Sequence, residues 1–370
     1  MKTVLFLGFD KNFGLTYHFV DWIIALRKAV SDKLKIILLT LKKEQNVGLH
    51  EQLRKNRFID VVMINKPEEL ESIKFLGDVD IVHCHGFTHV AKMLKIKRAN
   101  KLKYKIVVTI HSFRNSTPYS HVYSNLLSFF YNKIDAIHFL SHAAKHEFLR
   151  GNLLYNHSNR SFIFPLGCNE AEFLRDESIE GLDFYQELIQ NEKNIIYLAN
   201  LSRGKQHLWL LKAIKNILIE EDACLWLFGD KGTETEEVVR YINENGLSQH
   251  VKLPGRIHRK YIPNILRRMD CAVCSSRSET FGHVIMEPMF AGIPVVTFNV
   301  GAASYLIRDF TNGFVVRNTS EQENFRKAVE FLLKNKDAST EMGKNNKKIA
   351  HQWLTWEATC KNSVNMYLSI

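Results

Sequence analysis

Two patterns of apolar and polar positions take turns along this chain. Short, largely apolar runs recur: VLFLGF (4–9), KIILLT (35–40), VVMIN (61–65), DIVHCH (80–85), KIVVTIH (105–111) and AIHFLS (136–141). Their length and lack of alternation fit strands buried on both faces of a parallel sheet. Between them lie stretches of helical spacing. YHFVDWIIALRKAV places Phe19, Trp22, Ile23 and Leu26 on one face, and further helices are predicted over roughly 88–99 and up to Arg150. SFIFPLG (161–167) closes the set. Residues 168–193 are acidic and polar with short helical patches, which predicts a linker.

The pattern then restarts. Strands are predicted at IIYLANLS (195–202), ACLWLFGD (223–230), VKLPGRI (251–257), CAVC (271–274), from Val295, and at GFVV (313–316). Helices are predicted at 207–219, TEEVVRYINENG, YIPNILRRM, after Gly282, up to Lys334, and as one C-terminal helix containing Trp353 and Trp356. Strand and helix in alternation mean α/β units. Two sets of similar size predict two Rossmann-like, doubly wound domains facing across a cleft. The expected boundaries are 1–169, a linker at 170–193, 194–350, and a terminal helical segment at 351–370.

Composition adds little to the class: 370 residues, 45% hydrophobic and 24% charged, suffice for two sizeable cores. No apolar run reaches membrane-spanning length. MKTVLFLGFDKN reads as a first buried strand rather than a signal peptide, so a cytoplasmic protein is expected. Six scattered cysteines read as buried free thiols. Cys271 and Cys274 form a lone CxxC in a strand, with their side chains on opposite faces.

Charge changes the picture more. Residues 1–169 hold 25 Lys and Arg against 13 Asp and Glu, and residues 170–370 hold 25 against 26. The excess concentrates in residues 81–134, with nine basic residues and no acid. Such a surface either faces solvent or meets an anionic partner. Lys92, Lys95, Arg98 and Arg114 are the expected acceptor-side or membrane-side cations. The aromatic run YSNLLSFFYNKI (123–134) either packs inside or dips into a membrane interface. No helix-turn-helix, zinc or RNA-binding signature accompanies the charge, so nucleic acid is not an expected partner.

The chemistry gathers in SSRSETFGHVIMEPMFAGIPVV (275–296): strand end, polar loop, helix start, next strand. This is the layout of a phosphate site in an open α/β sheet. Glu279 and Glu287 flank it, eight residues apart. Gly14 lies in the first strand-to-helix loop, where backbone can approach a phosphate. His111 ends a buried strand, where open sheets place ligand contacts, and His83 and His85 end the strand before it. The absence of GxGxxG weighs against a nicotinamide or flavin dinucleotide. Pro288, directly after Glu287, is expected to loosen the helix.

These residues carry a resemblance. SETFGHVIMEPMFAGIPVV resembles the E-x7-E signature of retaining glycosyltransferase family 4, which has the GT-B fold. IIYLANLSRGKQHLWLLKAI resembles that family's basic pair before a helix. LFGDKG resembles its glycine-bearing nucleotide loop, FPLG with Phe173 its interdomain segment, NGFVV its last strand, and WLTWEATCKNSVNMY its terminal helix that crosses back to the first domain. The likeness is strong over the second half and loose over the first, and is of the bacterial surface-polysaccharide or lipid-linked glycan type.

The resemblance implies transfer of a sugar, with retention and no metal or other cofactor, from a UDP- or GDP-linked nucleotide sugar to a glycan or lipid-linked acceptor. The basic 81–134 region and its aromatics, rather than the resemblance, lead to the expectation of a protein peripheral on the inner face of the cytoplasmic membrane, whose anionic surface is a partner. Glu279 would meet the donor sugar and Glu287 the ribose hydroxyls. Backbone N–H groups at Phe281, Gly282 and His283 would hold the diphosphate, with Gly229 in the nucleotide loop. Lys205 would neutralise the leaving group, Gly14 would let a loop close over it, and His111 would stand near sugar and acceptor. Three places depart from the family. Asn200 stands where it has Arg, with Arg203 as a substitute from the loop. Paired glycines are reduced to Gly14 beside Phe13, and Ser304–Tyr305 replaces a Glu. A sugar-nucleotide epimerase of the same fold and a non-enzymatic nucleic-acid binder are the alternatives.

Overall fold

The computed structural model describes residues 1–7, 17–29, 33–41, 60–85, 89–111, 132–152, 155, 160–168, 170–175 and 177–370. Seven strands build the first sheet: β1 (Lys2–Leu7), β2 (Leu34–Leu41), β3 (Asp60–Ile64), β4 (Ile81–His85), β5 (Lys105–Ile110), β6 (Ala136–Phe139) and β7 (Ser161–Ile163). All pair in parallel in the order β3-β2-β1-β4-β5-β6-β7. The continuous apolar runs follow from burial on both faces: Val4 to Leu7 are at most 1% exposed, and helices cover the sheet. The second sheet holds β8 (Asn194–Leu198), β9 (Cys224–Phe228), β10 (Val251–Gly255), β11 (Cys271–Cys274), β12 (Val295–Phe298) and β13 (Gly313–Val316). Its parallel order is β10-β9-β8-β11-β12-β13. Strand order reverses between β1 and β4 in one sheet and between β8 and β11 in the other. Crevices at the carboxyl ends of such strand pairs are where open α/β sheets hold ligands.

The chain divides into two units, Met1–Cys168 with Thr355–Ile370, and Asn169–Leu354. Residues 170–193 are therefore not a free linker, because their apolar positions are spent on the second unit. Ile179 and Leu188 are buried, and Phe184 packs on Trp226 and Phe228 at 5.8 and 5.3 Å. Arg267 donates to the carbonyls of Phe173 and Arg175. Trp353 and Trp356 do not share the one C-terminal helix expected: the chain forms two, Lys336–Trp353 and Trp356–Ser369. They break at Leu354 and Thr355, where the Thr355 hydroxyl accepts from the Ala358 N–H and caps the second.

That last helix packs within the first unit against the helix Tyr17–Ala29. Trp22 donates its indole N–H to Ser363 (3.1 Å), and Lys2 donates to the Tyr367 carbonyl (3.0 Å). Beneath it runs a buried polar chain: Tyr367 to His83 Nδ1 (2.6 Å), His83 Nε2 to Thr109 (2.7 Å), Thr109 to His138 Nδ1 (2.9 Å), and His138 Nε2 to the Phe164 carbonyl (2.9 Å). A carbonyl only accepts, so His138 donates from Nε2. Burial pushes His138 down to about 3 and His83 well below its ordinary value, which favours neutral rings, and with both neutral each earlier hydroxyl or ring N–H donates onward in turn. His83 is thus a structural group. All six cysteines are free and buried.

Candidate functional site

In the second unit the loops that follow β8 and β11 meet at the strand-order reversal. The first turns at Ser202–Lys205, with Gln206 left-handed at φ 57°. The Lys205 carbonyl accepts from the Tyr197 hydroxyl and from Ser275 Oγ, both at 2.9 Å. The Arg277 N–H donates to Gly204 at 2.9 Å. These bonds clamp the two loops together, and across them Lys205 Nζ stands 2.5 Å from Glu279 Oε1. Both side chains are largely shielded, at 31% and 14% exposure, so their mutual charge is only partly screened by water.

After Glu279 the chain turns at Gly282 (φ 100°, ψ 78°) into the helix His283–Ala291. A β-carbon at Gly282 would meet Ile285 Cδ1 at 3.2 Å, and the left-handed backbone there favours glycine besides. The Ile285 N–H donates to the Gly282 carbonyl at 2.9 Å, and the helix dipole points its positive end at the loop. The Phe281 ring is buried, so Phe281 serves this edge through its backbone; its carbonyl accepts from Ala302 at 2.9 Å. Pro288 does not break the helix, which runs on to Ala291 and closes at Gly292 (φ 79°) with the Ile293 N–H on the Pro288 carbonyl. Glu287 is buried, at 9% exposure, and burial pushes its carboxyl up to about 7, against the pull of Arg259 and with the push of Glu172.

The remaining expectations divide. Gly229 presses on the preceding loop: a β-carbon there would collide with the Ala199 carbonyl. Asn200 faces that loop, accepting from the Asp230 N–H at 2.9 Å, while Asp230 pairs with Arg256. Arg203 pairs with Glu237 (3.2 Å), with its side chain 74% exposed. Arg203 also lines a polar cavity of about 790 Å³ with Lys231, Gly232 and the start of the helix Thr235–Glu244. His111 belongs to the first unit, where its Nε2 lies 2.7 Å from His85 Nδ1, and burial pushes it down to about 4. Lys92, Lys95 and Arg98 lie on the helix Val90–Ala99, with Lys95 paired to Glu71 at 3.6 Å. Gly14, Arg114 and most of the aromatic run 123–134 lie outside the described residues. Among the described residues no cluster of His, Cys, Asp and Glu has the makings of a metal site, and no helix is long and apolar enough to cross a membrane.

Several residues that shape this edge were not legible as site residues. Tyr197 and Ser275 fix the Lys205 turn. Glu234 accepts from the His207 N–H (2.9 Å) and so caps the helix after Lys205 from a distant loop. Arg259 pairs with Glu172 at 3.0 Å, and their charges act on Glu287 in opposite senses. None lies in a recognisable local motif; each is brought in by tertiary contact.

Comparison with known proteins agrees with this architecture. The family model for Glycosyl transferases group 1 matches residues 180–349, and that for Glycosyltransferase Family 4 matches residues 51–157. Spore coat protein SA of Bacillus subtilis is 25% identical over 55% of this chain, and the match spans about half (54%) of that relative's length. An uncharacterized glycosyltransferase of Methanocaldococcus jannaschii is 24% identical over 93% of this chain and 91% of its own. Among solved structures, Anabaena HepE in complex with UDP and glucose shares the fold, with a TM-score of 0.79 at 17% identity over the whole of both chains. The clamped loops at the switch point, the two parallel α/β units and the two matched models together place this chain among the family 4-like glycosyltransferases of the GT-B fold.

Proposed function

We propose that the protein moves a sugar, with retention of anomeric configuration and without a metal ion, from a nucleotide sugar to a glycan or lipid-linked acceptor at the cytoplasmic face of a membrane. The observation that carries the donor half of this reading is the Lys205–Glu279 pair beside the N-terminus of the helix His283–Ala291. Cleaving the sugar–phosphate bond builds negative charge on the leaving diphosphate, and fixed cations and N–H donors stabilise that charge. Lys205 and the N–H groups from Phe281 to His283 supply both. The donor's diphosphate takes Lys205 from Glu279, which is then free to accept from sugar hydroxyls. Glu287 accepts from the ribose. The carboxylates are thus binding groups rather than the acid/base couple of a glycosidase. HepE, similar in fold, was solved with UDP and glucose, which supports a uridine nucleotide as the first donor to try.

His111 is assigned to the sugar and acceptor side as a neutral imidazole. The basic stretch of the first unit supports a membrane-bound acceptor, since an anionic leaflet attracts each Lys or Arg near its surface by about 1 kcal/mol. Incubation with nucleotide sugars and a lipid-linked glycan, with NMR of the product, tests the reading. An axial product from an axial donor is expected, and inversion or donor isomerisation without an acceptor would contradict it.

A further inference from the structure

At the Lys205–Glu279 edge one cation faces one carboxylate, 2.5 Å apart. A diphosphate is multiply anionic near neutral pH, so a lysine that already has a partner matches little of its charge. The loop after β11 carries a further cation, Arg277. Its backbone N–H donates to the Gly204 carbonyl at 2.9 Å. Its Nε donates to the side-chain oxygen of Gln206 at 3.1 Å, while the Gln206 amide nitrogen donates to the Ser275 carbonyl at 2.9 Å. A carbonyl only accepts and an arginine Nε–H only donates, which fixes the way this amide faces. Arg277 is thus tied to the residues on either side of Lys205. Gln206 is 5% exposed and sits in left-handed backbone at φ 57°, which a β-carbon disfavours. The Leu210 N–H (3.0 Å) and the Ser275 hydroxyl (3.3 Å) hold its carbonyl in that pose. Strain kept in place by surrounding bonds is a mark of functional loops. Arg203, Arg256 and Arg259 pair with Glu237, Asp230 and Glu172. Arg277 is exposed, and among the described residues no carboxylate pairs with it.

We propose that Arg277 is a second cation for the donor's diphosphate, presented beside Lys205 by Gln206 as its positioning residue. This rests on the reading that the Lys205–Glu279 edge takes a nucleotide diphosphate. With Nε spent on Gln206, the two Nη groups keep their N–H donors in one plane, the shape that grips two phosphate oxygens at once. A neutral amide fixes the guanidinium without cancelling its charge, as a carboxylate in the same place would. Arg277 then adds its charge to what Lys205 offers the departing diphosphate.

The test is calorimetric binding of UDP, GDP and inorganic pyrophosphate to the full chain and to Arg277→Gln, Arg277→Lys and Gln206→Leu. Uridine and guanosine serve as controls without phosphate, and a ligand-free melt of each variant checks the fold. Arg277→Gln is expected to weaken the nucleotide that binds, and pyrophosphate with it, by about 10- to 100-fold while leaving nucleoside affinity unchanged. Arg277→Lys, which keeps the charge but not the planar fork, recovers part of that loss. Gln206→Leu keeps both cations and removes the anchor. It weakens the diphosphates by less than Arg277→Gln does, and adds nothing when combined with it. A mere support of the loop would lower nucleoside and diphosphate affinity alike. That result, or a diphosphate affinity unchanged in Arg277→Gln, overturns this inference and leaves the donor site standing. Absence of binding by UDP and GDP to the unaltered protein overturns both.

Discussion

The chemistry proposed for this protein turns on one ion pair. Lys205→Met removes the cation that meets the leaving diphosphate, and loss of one such preorganised contact costs about 10²–10³ in kcat. Glu279→Gln is expected to weaken donor binding and turnover while leaving the fold intact, as measured by steady-state kinetics beside a thermal melt. Glu287 carries a second prediction. Its folded-state pKa is raised from 4.5 to about 7, chiefly by burial, so holding it ionised costs stability as pH rises through that window. Glu287→Gln should therefore be more stable than the unaltered chain at pH 8, on the order of 2–3 kcal/mol by denaturation, with the gain vanishing toward pH 4.5. Glu279 and Lys205 were legible because a polar loop after a strand is a recognisable place. The direct pairing of two residues 74 positions apart was not, since it depends on β8 and β11 lying side by side. Asn200 and Arg203 show the same limit. Their positions were plain, but Asp230, after β9, and Glu237, on the helix Thr235–Glu244, reach them only through tertiary contact.

At the scale of elements, strands were the most legible feature, because burial on both faces writes a continuous apolar run. GFVV and CAVC fall where expected, at β13 and β11. The supposed linker was misread because its polar surface hides a few buried anchors such as Leu188. The turn that sets the helix start at Gly282 depends on Gly301 (φ 56°), whose missing side chain makes room for the Phe281 carbonyl. Gly301→Ala should cost about 1–2 kcal/mol from backbone strain alone and lower donor affinity by displacing that carbonyl. The docking of the last helix makes a different prediction. Tyr367→Phe strands His83 Nδ1 without its donor and should cost about 1–3 kcal/mol in chemical denaturation. The histidines beneath are held neutral when folded, while the unfolded chain protonates them below about 6.5. Stability is therefore lost as pH falls through that value, by about 2 kcal/mol at pH 5 for each histidine still neutral there.

For the whole molecule, charge is divided as no single element reveals. The acid-free stretch 81–134 is less bare in three dimensions than in sequence: Glu71 reaches Lys95, and Asp135 meets Lys97, Lys105 and Arg160 within 3.1–3.8 Å. Acids just outside the stretch fold back onto it, which a count along the chain misses. The net excess of the first half persists, and flotation with anionic vesicles at low salt should recover the protein. Lys92→Glu with Arg98→Glu should reduce recovery without changing donor affinity. The central claim, that the second unit holds a nucleotide sugar through the Lys205–Glu279 edge, meets its most direct test in a thermal-shift titration with UDP, GDP and their sugars. At 100 times its Kd a true donor stabilises the folded state by about 2.7 kcal/mol. The account predicts such a shift for one nucleotide class and its collapse in Lys205→Met. No shift with any of them, or an equal shift in Lys205→Met, would contradict it.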